Sequence, residues 1–161
     1  MRIGVGLLAL LSMGLVVTGQ EAGPEAHGTV NEVMIGIVDP NTNTVGYAAF
    51  IDPEEPSEDD ATDTYAGWER VRSAAIAMAE SANLLLMPGR LRSNGESAPS
   101  DAADWIEWTN EMRDAALRAY EAARAESQDT LLDISESLTA ACSSCHARFL
   151  GGDDPAARCV P

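Results

Sequence analysis

From about Thr29, residues suited to a buried stripe fall at Val30, Met34, Ile37, Asn41, Thr44 and Ala48. This four-three-four spacing predicts a helix. Pro40 lies inside it, where it leaves the carbonyl of Gly36 without an N–H partner and crowds it. The expectation is one kinked helix, with the bare Gly36 easing the clash. A second stripe, Trp68, Val71, Ala75, Met78, Ala82 and Leu85, predicts a helix over about 64–87, stopped by Pro88-Gly89. A third runs through Trp105, Trp108, Met112, Ala115 and Ala119, with Ser100 or Asp101 as cap, Asp104 in the first turn, and Glu107, Glu111, Asp114 and Arg118 facing water. After a polar break at 127–129, Leu131, Ile134, Leu138, Ala141 and Cys145 draw a fourth stripe that Gly151-Gly152 ends.

No segment alternates as a strand would. Four amphipathic helices predict an all-α chain folded as an antiparallel up-down-up-down four-helix bundle. The connections after the second and third helices are short. The one after the first, Asp52 to Asp63, is longer and strongly acidic, and its last carboxylates suit the positive end of the helix that follows. The chain divides into a signal peptide (1–19), a loose lead-in (20–28), the bundle (29–150) and a mobile tail (151–161). The first of these rests on Arg2, the apolar run from Ile3 to Val17, and Val17 and Gly19 at positions suited to cleavage. That run is short for a membrane span of ~20 residues. Export to the periplasm, with no stable membrane insertion after cleavage, is the expectation.

The chemistry sits in the fourth stripe, at Cys142-Ser143-Ser144-Cys145-His146. Two thiols three residues apart with an imidazole directly behind is the spacing that attaches c-type haem. Each thiol adds to one haem vinyl group, and the adjacent ring ligates the iron. On a helix these three residues share a face. Other readings of the pair are a redox dithiol, which prefers a helix N-terminus, and a zinc site that recruits Cys159 to make a Cys3His set. No constellation of nucleophile, base and substrate-binding groups accompanies the motif, so the chain does not read as an enzyme.

The predicted topology gathers the start of helix one, the end of helix two, the start of helix three and the end of helix four at one end. His146 lies ~6 Å from its helix terminus and Met34 ~8 Å from its own, so their depths match. Met34 is therefore the candidate sixth iron ligand, since a thioether raises the potential relative to a second imidazole. Met78 and Met112 lie further down their helices and read as core filling, while Met87 sits beside Pro88. Trp105 and Trp108 read as core closure or haem cover. Arg90 and Arg92 are candidate partners of the haem propionates, and His27 a candidate distal ligand.

An exported chain of this length with four helices and one CxxCH in the last resembles the class II c-type cytochromes, the cytochrome c′-like bundles. The resemblance covers about 28–150, and its specific part is Cys142, Cys145 and His146. Phe149 matches the aromatic residue that this family tends to carry after the His, and Leu150 departs from the basic residue often found next. The resemblance implies one covalent haem c, electron transfer to redox partner proteins, and a homodimer such as many relatives form. Low-spin members resemble this chain in carrying a Met in helix one, here Met34. High-spin members leave that place empty and bind small gases such as nitric oxide or carbon monoxide.

Charge narrows the partners. The formal net charge is −16, and all 10 basic residues are Arg. Such a surface disfavours nucleic acid and anionic lipid, and suits a basic partner or simple solubility.

Overall fold

A computed structural model describes residues 24–55 and 65–150. The proposed signal peptide, the second half of the acidic connection, the tail and Cys159 lie outside the described residues. Among the described residues the chain is mostly helical and forms no strand beyond an isolated Leu91–Ser97 bridge in a turn. No helix there is long and apolar enough to cross a membrane.

The first helix is continuous but changes pitch. It opens as α1 (Val30–Val33), widens into a π-helical turn (Met34–Val38) and resumes as α2 (Asp39–Ala48). Its start is a capping box. The Thr29 hydroxyl accepts from the Glu32 N–H, and the Glu32 carboxylate accepts from the Thr29 N–H at 2.6 Å. The kink predicted at Pro40 takes the form of the π turn, in which the Asp39 N–H reaches back to the Met34 carbonyl. Widening the turn before the proline absorbs both its missing donor and its bulk. Two side chains also bond back to the turn: Asn41 Nδ2 donates to the Ile37 carbonyl at 2.6 Å and Thr42 Oγ1 to that of Val38 at 2.7 Å. A Cβ on Gly36 would meet nothing within 4 Å, so relief comes from the turn and not from a bare residue 36.

The extra residue in that turn rotates the buried face. Val38 and Val45 are buried off the predicted stripe, whereas the expected Ile37, Asn41 and Thr44 are only half-buried; Val30 and Ala48 are buried as expected. A regular helical period could not anticipate this shift, because it follows from the local pitch.

The second helix, α3 (Gly67–Leu85), buries its whole predicted stripe, with Ala75, Met78 and Ala82 fully enclosed. Its start leans on an early residue of the acidic connection, while the last carboxylates expected there lie outside the described residues: Glu54 Oε1 accepts from the Trp68 N–H at 3.1 Å. Gly67 makes that approach possible. Its φ is +56°, and a Cβ there would overlap the Glu54 carboxylate.

The third helix, α4 (Ala103–Arg124), buries Trp105, Met112, Ala115 and Ala119, and its four predicted water-facing residues are exposed. Ala102 occupies the cap position with no side-chain bond, so neither Ser100 nor Asp101 caps it; Asp104 Oδ1 instead accepts from the Trp105 N–H at 3.0 Å. The fourth helix, α5 (Gln128–Phe149), is capped by Ser127 and buries Leu131, Ile134, Leu138 and Ala141. The core is Ala-rich where α3, α4 and α5 pack, so the helices approach closely.

Hydrogen bonds identify which ends meet. The Val30 N–H donates to the Leu91 carbonyl, Trp105 Nε1 to that of Leu85, and Arg92 Nη2 to that of Phe149. Away from these, Gln128 Nε2 donates to the Ala48 carbonyl at 3.1 Å.

Two measurements check this reading. Gly67→Ala forces a left-handed residue to carry a Cβ into Glu54, and costs ~2 kcal/mol in thermal or denaturant unfolding. Gly46→Ala, in a helix with open space around it, is neutral or gains up to ~1 kcal/mol. The Glu32 carboxyl is held below the ordinary carboxylate value, first by the Thr29 N–H and then by the Thr29 hydroxyl. Its cap therefore contributes stability above the ordinary carboxylate pKa and loses it as pH falls through the lowered one. An NMR titration should show Glu32 below the ordinary carboxylate value, and Thr29→Ala, which removes the hydroxyl but keeps the N–H, should return it part of the way.

Candidate functional site

Cys142, Cys145 and His146 occupy the last turns of α5, on the side that the helix turns towards α1, α2 and α4. All three line one cavity of ≈ 500 Å³. Met34 lines the same cavity from the π turn, and Ala141 and Leu150 extend the α5 wall. Ile35, Val38 and Asp39 accompany Met34. Met34, Ile35 and Val38 belong to the π turn, so the π turn and the site coincide. Trp108, Thr109 and Met112 of α4, with Leu85 of α3, close the interior side.

The end of α5 is pinned from three directions. Phe149 sits edge-on to Trp105 and Trp108, with ring centroids 5.0 and 6.0 Å away. Arg148 stacks on Phe149 at 5.4 Å and pairs with Asp104 at 3.3 Å. From the 91–97 turn, Arg92 Nη2 donates to the Phe149 carbonyl at 2.9 Å. These contacts fix the turn that carries His146.

Both the thiol and the imidazole are shifted by their surroundings. Desolvation lowers the His146 pKa, although the residue as a whole remains exposed. The ring is thus neutral at pH 7 and keeps a lone pair for a metal. Burial pushes the Cys142 thiol up, with an opposing pull from its own backbone N–H. A raised thiol deep in a helix is the reverse of an activated redox cysteine. Among the described residues, no group of three or more His, Cys, Asp or Glu side chains is placed to share a metal ion.

Several expected neighbours lie elsewhere. Arg90 is buried and spent on structure: its Nε donates to the Leu84 carbonyl at 2.8 Å, and its Nη1 to those of His27 and Gly28. It lines no part of the cavity, because the lead-in needed a donor for its carbonyls. His27 is exposed and held through that carbonyl, outside the cavity wall. Arg92 instead lines a smaller adjoining pocket of ≈ 80 Å³, which shares Met34, Cys145, His146 and Leu150 with the main cavity. Met78 is core, as expected, while Met112 is buried and also touches the cavity. Asn31, Thr109 and Leu85 join the wall without having been expected there. The periodicity placed Asn31 off the stripe, and only its position three residues before Met34 could have signalled it.

No family model matches the chain, and comparison with curated proteins and with solved structures returns no match. The chemistry of the site therefore stands on its own residues.

In the chain isolated without an attached group, Cys142 should react slowly with iodoacetamide at neutral pH, gaining speed only as pH rises past the ordinary thiol value. Site-resolved mass spectrometry of the native and urea-unfolded chain checks this. Equal rates in the two states at pH 7 would contradict a buried, protonated thiol.

Proposed function

We propose that this chain is an exported mono-haem cytochrome of the class II type, carrying one electron at a time between protein partners. One haem c would be held by thioethers to Cys142 and Cys145, with His146 as proximal ligand and Met34 on the far wall as the sixth. The fold that goes with this reading is an antiparallel up-down-up-down four-helix bundle. The start of α1, the end of α3, the start of α4 and the end of α5 share hydrogen bonds, which supports it.

One observation carries the proposal. The two thiols and the imidazole of α5 line a single large cavity that the Met34 thioether of helix one also lines. Its volume of ≈ 500 Å³ falls within the ~300–1,000 Å³ typical of sites for cofactor-sized molecules. A bare zinc ion would need its ligands to converge on one point, and these open onto a broad space instead. A dithiol couple would want a depressed Cys142, and burial raises it.

Haem c supplies a one-electron ferrous–ferric couple when bound. The chain's residues do the rest. Cys142 and Cys145 would make attachment permanent, which suits a protein released outside the cytoplasm. His146 arrives neutral, so ligation costs no deprotonation. Leu85, Val38, Trp108 and Met112 provide an apolar wall that limits water, and a dry, rigid surround lowers the reorganisation that accompanies a change of charge. Met34, held on the π turn, favours the reduced state. The net charge of −16 points to a basic redox partner, and electron transfer to it should slow steeply as salt is added. The periplasm is the compartment that fits both the leader and the attachment chemistry.

The optical spectrum of the exported protein in both redox states tests the reading. A low-spin reduced spectrum insensitive to carbon monoxide is expected, together with conversion to high spin in Met34→Ala. A wild-type spectrum that is high-spin and responds to carbon monoxide would remove Met34 from the iron. It would also move the function to gas binding.

A further inference from the structure

Helix one packs chiefly against α3 and touches α5 only lightly. A second cavity of ≈ 180 Å³ lies between α2 and α5, and it shares Thr42 and Cys142 with the main one. The two together make one cleft that runs along the α2–α5 side of the molecule from the CxxCH turn. Small residues keep it open. Gly46, where a Cβ would meet nothing within 4 Å, lines it from α2, and Ser135, Thr139 and Ser143 line it from α5.

Charge is distributed unusually around this cleft. The chain has 26 acidic residues, yet among the described residues that line the two cavities Asp39 alone carries a full charge at pH 7, His146 being neutral. Aliphatic side chains reach water beside it: Ile35, 52 % exposed, lines the main cavity, and Leu132, 45 % exposed, precedes Ser135 by one turn of α5. The surrounding charge has one sign. Helix one carries Glu32 and Asp39 and no basic residue. On α5 are Asp129, Asp133 and Glu136, and its single Arg, Arg148, pairs with Asp104 of α4. By contrast α3 and α4 each mix Arg with their carboxylates.

An uncharged, partly apolar centre inside a polar margin is the make-up of a protein docking surface. Here the margin is negative, so the complementary partner is basic. A second copy of this chain would bring the same unrelieved carboxylates to the contact, and like charge opposes it.

We infer that the α2–α5 cleft is the surface on which a basic redox protein docks, with an apolar contact centre ringed by Lys or Arg. The inference rests on the haem reading above and gives its partner a place. Cys142, one of the two proposed attachment points, belongs to the cleft wall, so a partner seated there lies against the wall that carries the attachment. In each encounter the partner's ferric centre gains the one electron that the ferrous iron of this chain gives up, and no proton or group moves.

The test mixes the reduced holoprotein in stopped flow with a Lys-rich class I cytochrome c in the ferric state, used as the probe. Thr139→Arg puts bulk and positive charge at an exposed position of the cleft wall, and should slow the bimolecular rate about tenfold at low salt. Glu136→Gln, outside the lining, carries the test if Thr139→Arg disturbs haem attachment; it should slow the rate about threefold, a difference that vanishes at high ionic strength. Glu111→Gln, exposed on α4, should slow it less. With both proteins ferrous, NMR amide shifts should move at Gly46, Ser135 and Thr139 when the probe is added, and not along the outer side of α4. Equal slowing by Glu111→Gln and Glu136→Gln, or shifts that gather on α4, overturns the docking surface. A wild-type dimer in sedimentation that Thr139→Arg splits makes the cleft a self-interface and overturns it also. A colourless chain overturns the haem reading before any probe is added, whereas a coloured chain indifferent to the cleft variants overturns the docking alone.

Discussion

The arrangement depends on how the last turn of α5 is held. Phe149 is wedged between Trp105 and Trp108, Arg148 crosses to Asp104, and Arg92 binds the Phe149 carbonyl. A helix end is the part of a helix that frays most readily, yet here it carries His146 three residues before its terminus. Aromatic edge contacts of this kind add ~1 kcal/mol each beyond simple burial, and they act on the turn that the site requires to be still. If that anchor loosened, the imidazole would lose its direction before the rest of the fold lost its core.

A second constraint comes from Pro40. Its missing N–H forces the preceding turn to widen, and the widened turn shows Met34, Ile35, Val38 and Asp39 to the cavity. What reads as a defect in helix one thus shapes the wall that it shares with His146. Single π turns inside α-helices occur often at functional sites. In this chain the widened turn is where the proposed sixth ligand lies.

Much of this was legible in the residues. The stripes of α3, α4 and α5 follow a plain helical period, and every predicted position from Trp68 to Leu85 is buried, whereas Trp108 and Cys145 are half-buried. The CxxCH motif stood out because its chemistry needs that order, and Met34 followed from matching depths at one end. Other features were not legible. Hydrophobic spacing assumes constant pitch, so it does not show the rotated face of the first helix, with Val38 and Val45 inside. Charge suggested Arg90 as a partner for an anionic group, but the lead-in's carbonyls claimed it. Asn31 reads as a surface residue in any one-dimensional pattern, and only the assembled cavity shows that it is buried.

The central claim is that the two thiols are attached to a macrocycle in the mature chain. Intact mass of the denatured protein, made in a host able to attach haem c, tests it most directly. The account predicts a chain heavier by one haem that survives denaturation, with Cys142→Ser and Cys145→Ser each removing one of the two attachments and Cys159→Ser removing none. A denatured wild-type chain at the mass of the bare mature polypeptide would contradict it.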